Sequence, residues 1–221
     1  MKIVKFYKNT VDNTHCLQAC IKMLLSFYFP KRKFEDSKID QKTLQEGGHT
    51  WFPPAVCWLD ELGLKTLLFC KASSFNYKFF ANDREKYLKQ KWPKERYQKE
   101  KDNGAFKNID QVQNASKIMV SKKLWIPKRL NDDELSKKIE DDQTLAIGKT
   151  IHQWLSGIYT DGSPHYVLIQ KRYSPTQWKV HDPGLPPLEN RKVPVTINGH
   201  SIFGDILVVC GPRKSCRTER F

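Results

Sequence analysis

Three residues in this chain have the chemical types that a thiol nucleophile needs, although two of them lie far from the first: Cys16, His165 and Asp182. A thiolate attacks a carbonyl, an imidazole takes and returns the proton, and a carboxylate fixes the imidazole tautomer and stabilises its cation. Cys16 sits in Asn13-Thr14-His15-Cys16-Leu17-Gln18-Ala19-Cys20, and a mostly apolar run follows it until Pro30. That run predicts a buried helix with Cys16 in its first turn, capped by Asn13 or Thr14. Free N–H groups and the positive end of the helix dipole there favour thiolate over thiol. The plainer alternative for Cys16 is a small apolar residue heading a core helix. Cys20, one turn deeper on the same face, reads as core.

The partners come from the second half. His165-Tyr166-Val167-Leu168-Ile169-Gln170 and Gln177-Trp178-Lys179-Val180-His181 read as strands, with Tyr173-Ser174-Pro175-Thr176 supplying turn chemistry between them. A hairpin folded near Tyr173 and Ser174 places His165 opposite Asp182, within reach of a cross-strand contact. A one-residue bulge would break that register. Alternatively, His165 is a strand-end histidine and Asp182 starts the turn at Pro183-Gly184.

A cysteine heading an apolar helix, then His-Tyr-Val-Leu-Ile, a turn and a strand closing on Asp-Pro, resembles the papain-like cysteine peptidases. The nearest branch in pattern is the double-glycine leader peptidase-like domains and their uncharacterised bacterial relatives. Asn13-x-x-Cys16-Leu17-Gln18-Ala19-Cys20, the Thr50-Trp51 region and His181-Asp182-Pro183-Gly184-Leu185-Pro186-Pro187 carry the likeness. The resemblance implies Cys16 as nucleophile, His165 as general base and acid, and Asp182 as the orienting carboxylate. It also implies that Trp51 lines a substrate cleft, although packing is the simpler role for it. The glutamine that the family usually places ahead of the cysteine is Thr10 here, and the glycine that commonly follows the cysteine is Leu17. Asn13 is then the candidate side-chain donor for the oxyanion, next to the Cys16 backbone N–H.

At 221 residues and 39% hydrophobic content, the chain can bury one substantial core, so a single domain over residues 1–221 is expected. No segment is apolar enough to span a membrane, and the first residues lack a signal-peptide core. Six scattered cysteines in a chain of this length predict free thiols and a cytoplasmic setting. No C-x-x-C pair is present, and the spacing of Cys16 and Cys20 is a weak zinc signal, so no metal and no cofactor are expected.

Residues 78–128 form a basic, mostly helical insertion with fourteen Lys or Arg against six Asp or Glu, interspersed with aromatics. This composition suits nucleic-acid binding, but lysine alternating with glutamate suits a solvated helical face better. His49, beside glycines, competes with His165 as a base but has no local carboxylate. Residues 2–7 read as a short strand, 53–62 as a helix entered through Pro53-Pro54, 64–69 as a strand, 192–197 as an edge strand and 202–210 as a strand after the Asn198-Gly199 turn. Residues 211–221 form a basic tail.

The expected fold is α+β: an N-terminal helical half carrying the nucleophile helix, packed on a C-terminal antiparallel sheet carrying His165 and Asp182. The expected activity is hydrolysis of a peptide or isopeptide bond, on a peptide or protein substrate. The alternatives are a binding module that keeps this fold without turnover, or a nucleic-acid binder acting through the insertion.

Overall fold

A computed structural model describes residues 3–44, 50–160, 162 and 164–212. The chain is a mixed α+β structure. In chain order it runs α1 (Cys16–Tyr28), α2 (Asp36–Thr43), α3 (Phe52–Glu61), β1 (Leu64–Phe69), α4 (Tyr77–Asn82), α5 (Arg84–Lys91), α6 (Lys94–Asp102), α7 (Ile109–Ser121) and β2 (Trp125–Ile126). It continues with α8 (Asp132–Ile139), β3 (Thr144–Ile151), a 3-10 turn at His152–Ser156, β4 (Pro164–Ser174), β5 (Gln177–Asp182), β6 (Leu188–Pro194), β7 (Thr196–Ile197), β8 (His200–Ser201) and β9 (Ile206–Pro212). One seven-stranded sheet has the order β2-β1-β9-β3-β4-β5-β6, and β7 pairs with β8 around Asn198-Gly199. Both residues of that turn have positive φ, at 50° and 75°, which Asn-Gly tolerates.

The sheet separates two cores by simple alternation. On β4, Tyr166 and Leu168 join the core with α1 and α3, while Val167 and Ile169 join the one with α8. β3 and β9 divide in the same way: Leu145, Ile147, Leu207 and Val209 face one core, and Ala146, Ile206 and Val208 the other. Helix α1 is fixed at several points. Gln18 Nε2 donates to Thr43 Oγ1 at 2.9 Å, tying it to α2, and Tyr28 Oη donates to the Val209 carbonyl at 2.6 Å, tying its far end to β9. The helix that starts at Cys16 is therefore anchored along its length.

Several expectations change. Residues 3–10 form no strand; the segment instead crosses to the β5–β6 turn, where Asn9 N–H donates to the Pro183 carbonyl at 2.8 Å. The split into a helical half and a C-terminal sheet does not hold strictly. β1 and β2, from the first 126 residues, extend the sheet beyond β9, and β1 pairs parallel with β2. Parallel pairing here needs a long crossover, and the insertion helices supply it. The strand expected over 192–197 starts earlier, as β6, and it is the edge strand, as Pro194 suggested. The final strand starts at Ile206, because residues 202–205 turn after β8. Cys16, Cys20, Cys57 and Cys70 are free, but Cys210 is disulfide-bonded, which corrects the expectation of thiols throughout. Among the described residues, no helix is long and apolar enough to cross a membrane. His49, Asp161, Ser163 and the tail over 213–221 lie outside the described residues.

The insertion builds a core of its own. Phe80, Leu88, Ile109 and Val112 are buried, with Trp51, Phe75, Tyr87, Trp92, Tyr97 and Phe106 packed around them. Its charges pair along helix faces, as in Glu85 with Lys89 at 2.6 Å.

Candidate active site

The base half of the site is built on β4 and β5. His165 Nε2 lies 2.7 Å from Asp182 Oδ1, and both side chains are buried. A carboxylate can only accept, so Nε2 carries a proton, and Nδ1 is the nitrogen left to exchange a proton with another group. The pair does not form through the expected register. The hairpin turns at Pro175-Thr176, not near Tyr173-Ser174, and the β4–β5 pairing slips between Ile169 and Lys171 and again between Arg172 and Ser174. Extending the pairing of Leu168 with His181 by one step sets Asp182 across from Val167. His165 is therefore the diagonal neighbour of Asp182 on the same face, a separation that an imidazole spans.

Asp182 has more partners than the sequence suggested. The Gly184 N–H donates to Oδ1 at 3.0 Å, and Arg191 Nη1 donates to Oδ2 at 2.5 Å. Arg191 Nη2 also donates to Ser156 Oγ at 2.7 Å, so the guanidinium clamps the 3-10 turn to the carboxylate. Arg191 was missed, yet a signal existed. A fully buried carboxylate needs more than one imidazole, and the strand returning from the Asp-Pro-Gly turn carries a cation. Gly184 read as turn chemistry only. A Cβ there would lie 2.9 Å from His165 Cε1 and 3.1 Å from Asp182 Oδ1, so this glycine allows close approach.

Electrostatics follow from these contacts. Burial by itself depresses the His165 pKa, but the hydrogen bonds to Asp182 and Cys16 and their charges outweigh it, raising the imidazole to about 9. Burial pushes Asp182 up, and the His165 hydrogen bond and charge, the Gly184 N–H and Arg191 bring it below the usual carboxylate range. His152, on the 3-10 turn, sets its ring edge-on to His165 at 5.1 Å, and desolvation with the neighbouring imidazole lowers its pKa. Donor atoms of His152, His165 and Asp182 lie within 4.8 Å of one another, a spacing that would admit a metal ion. Both Asp182 oxygens are already engaged, however, and the Arg191 guanidinium stands where a cation would have to share the carboxylate.

The nucleophile half is placed by α1. Cys16 is its first residue and half-buried, and it lies near enough to His165 to be among the groups that raise the imidazole pKa. Neither Asn13 nor Thr14 caps the helix. The N-cap is His15, without a side-chain capping bond, and Asn13 sits in a turn at φ 58°. The turn is organised by Asn9, which is 6% exposed. Its Oδ1 accepts from the N–H groups of Thr10 at 2.9 Å and His15 at 2.8 Å, and its Nδ2 donates to Asn13 Oδ1 at 2.7 Å. Asn13 is exposed, and Thr10 Oγ1 turns to Asp12 and His15 Nδ1. Backbone N–H groups in the first turn of α1 have no acceptor within the helix, which makes them candidate donors beside Cys16.

Burial raises Cys57 to about 11, and it raises Cys20 and Cys70 further still. Trp51, the cleft candidate, stacks on Phe80 at 5.8 Å and meets Phe75 and Trp92 in the insertion core, a packing role. Comparison of the chain with protein-family models and with curated protein sequences finds no match.

Proposed function

We propose that this protein is a papain-like thiol hydrolase that cleaves a peptide or isopeptide bond through Cys16, His165 and Asp182. The observation that carries this reading is the buried 2.7 Å bond from His165 Nε2 to Asp182 Oδ1, with Cys16 close enough to add to the rise of the imidazole pKa. His165 Nδ1 takes the Cys16 proton, and the thiolate adds to the carbonyl carbon. The tetrahedral oxyanion faces the first-turn N–H groups of α1. The imidazolium then returns its proton to the departing amine, leaving a Cys16 thioester. Water, deprotonated by His165, releases the acid and restores the thiol. A peptide or protein is the substrate class. The four free thiols suit a reducing, cytoplasmic setting, whereas the Cys210 disulfide weighs the other way.

A second reading is favoured by one observation. Thr10 stands where an amide would serve the oxyanion, and the Asn9 and Asn13 side chains bond to each other. A binding module that keeps this site without turnover fits that turn.

Iodoacetamide alkylation of Cys16 against pH, read on its own peptide by mass spectrometry, tests the hydrolase reading. Wild type is expected to react well below the roughly 8.5 of a free thiol, and His165→Ala to lose that reactivity. Ordinary thiol behaviour in both proteins would sink the catalytic reading.

A further inference from the structure

The candidate site leaves a second feature unexplained, on the edge of the same sheet. Lys171 on β4 pairs directly with Lys179 on β5, and Lys179 pairs directly with Lys192 on β6. Directly opposed residues point to one face, so three ammonium groups stand in a row across three strands, about 5 Å apart at the backbone. Like charges in such positions destabilise a sheet. Among the described residues, none of the three pairs with a carboxylate. Tyr173, 48% exposed, lies with them: Lys192 Nζ donates to its hydroxyl at 2.8 Å and sits 4.0 Å from its ring centroid. The Lys192 hydrogen bond lowers the Tyr173 pKa, and Lys171 and Lys179 add to the effect, so all three amines bear on one phenol. The row lies on the face of β5 opposite Trp178 and Val180, the side of the sheet on which α1 packs, three residues along from Asp182.

We infer that Lys171, Lys179, Lys192 and Tyr173 form a binding surface for the phosphate backbone of single-stranded nucleic acid. The chain's net charge of +14 steers it to a polyanion, and three aligned cations without counter-charges provide the local contact. The exposed tyrosine decides between polyanions. A base can stack on its open side, whereas an acidic peptide has no use for it. The basic insertion is the weaker candidate, because its aromatics other than the exposed Phe79 pack into their own core and its lysines alternate with acids. On β4–β6 an exposed ring touches a row of cations that no carboxylate pairs.

The test is fluorescence anisotropy with a labelled oligothymidylate across a salt series. Wild type is expected to bind at low salt with a steep salt dependence. Lys171→Gln/Lys179→Gln/Lys192→Gln should weaken binding and reduce the log–log salt slope by roughly 2, about 0.7 for each lost phosphate contact. Tyr173→Ala should weaken it about fivefold or more, and Tyr173→Phe should restore it. Lys94→Gln/Lys99→Gln/Lys101→Gln in the insertion should leave the slope unchanged. Thermal melting separates binding from folding, since relieving like charges predicts a triple β-strand variant at least as stable as wild type. An unchanged slope in that variant would overturn the inference, as would displacement of the oligonucleotide by polyglutamate or anionic vesicles at equal charge concentration. Because alkylation of Cys16 is read separately, either conclusion can fail without the other.

Discussion

The two halves of the candidate site are built to different standards. Asp182 is fully buried and holds three donors, from His165, Gly184 and Arg191. Each donor belongs to a different stretch of chain, so the carboxylate joins β4, the β5–β6 turn and β6, and through Arg191 the 3-10 turn as well. Cys16 stands half-exposed at a helix end, and the turn before it satisfies its side chains mostly among themselves. The orienting half is thus over-determined, whereas the proposed reaction leaves stabilisation of its oxyanion to backbone N–H groups. A site can be rigid where it holds a base and sparse where it would hold a transition state.

The largest effect is expected where the determination is greatest. Asp182→Asn removes the charge from a buried pair and leaves the Arg191 guanidinium uncompensated, a loss of ~3–5 kcal/mol in urea unfolding. A loss under about 1 kcal/mol, the range of exposed pairs, would show that the carboxylate is no anchor. Next is the pH dependence of stability. His165 rises from 6.5 to about 9 on folding, so its contribution is complete below 6.5 and disappears as pH climbs through 9. Integrated over that interval the loss is on the order of 3 kcal/mol. Asp182 is lowered on folding, so its contribution is present above its ordinary value of 3.8 and is lost as pH falls below that. Unfolding free energies should therefore be highest between these limits, and His165→Gln should flatten the alkaline limb. Third is Gly184→Ala. Its Cβ would press on His165 Cε1 at 2.9 Å, between an imidazole and a carboxylate that cannot both move. Overpacking of this kind costs ~1–3 kcal/mol, and the displaced ring should move the Cys16 alkylation profile toward that of a free thiol. An unaltered profile would mean that the pair has slack.

These residues also show what could be read from the chain before its structure. The helix from Cys16 to Tyr28 was legible because its apolar run is long and Pro30 ends its reach. The partnership of His165 with Asp182 was legible in type but not in register. β-Bulges have no dependable local signature, and β4 holds two. Two single-residue slips leave the side chains on the face they began on, so the expected partners still meet, diagonally rather than opposite. Gly184 and Arg191 were not legible as site residues because their roles depend on distances across strands. The parallel β1–β2 pair was not legible either, since a crossover through four helices leaves no mark on either strand. The aromatics of the insertion looked like a surface because spacing along charged helices does not reveal what packs between them.

The smallest effects belong to the nucleophile side, and a pair of substitutions there sharpens the contrast. Asn9→Ala removes the acceptor for the Thr10 and His15 N–H groups, with an expected cost of ~1–3 kcal/mol in urea unfolding. It should also loosen the link from this turn to Pro183, so that Cys16 alkylation slows with stability. Asn13→Gly should do neither. The residue is exposed at φ 58°, a conformation glycine adopts freely, and its oxygen merely receives the Asn9 amide. A stability change within about 0.5 kcal/mol is expected, with alkylation like wild type. Against any peptide substrate that wild type cleaves, Asn13→Gly should likewise retain its rate, because the proposed reaction gives the oxyanion to the first-turn N–H groups of α1. A fall on the order of a hundredfold, the usual cost of losing one such donor, would return Asn13 to the site and make the nucleophile half as fully furnished as the base half.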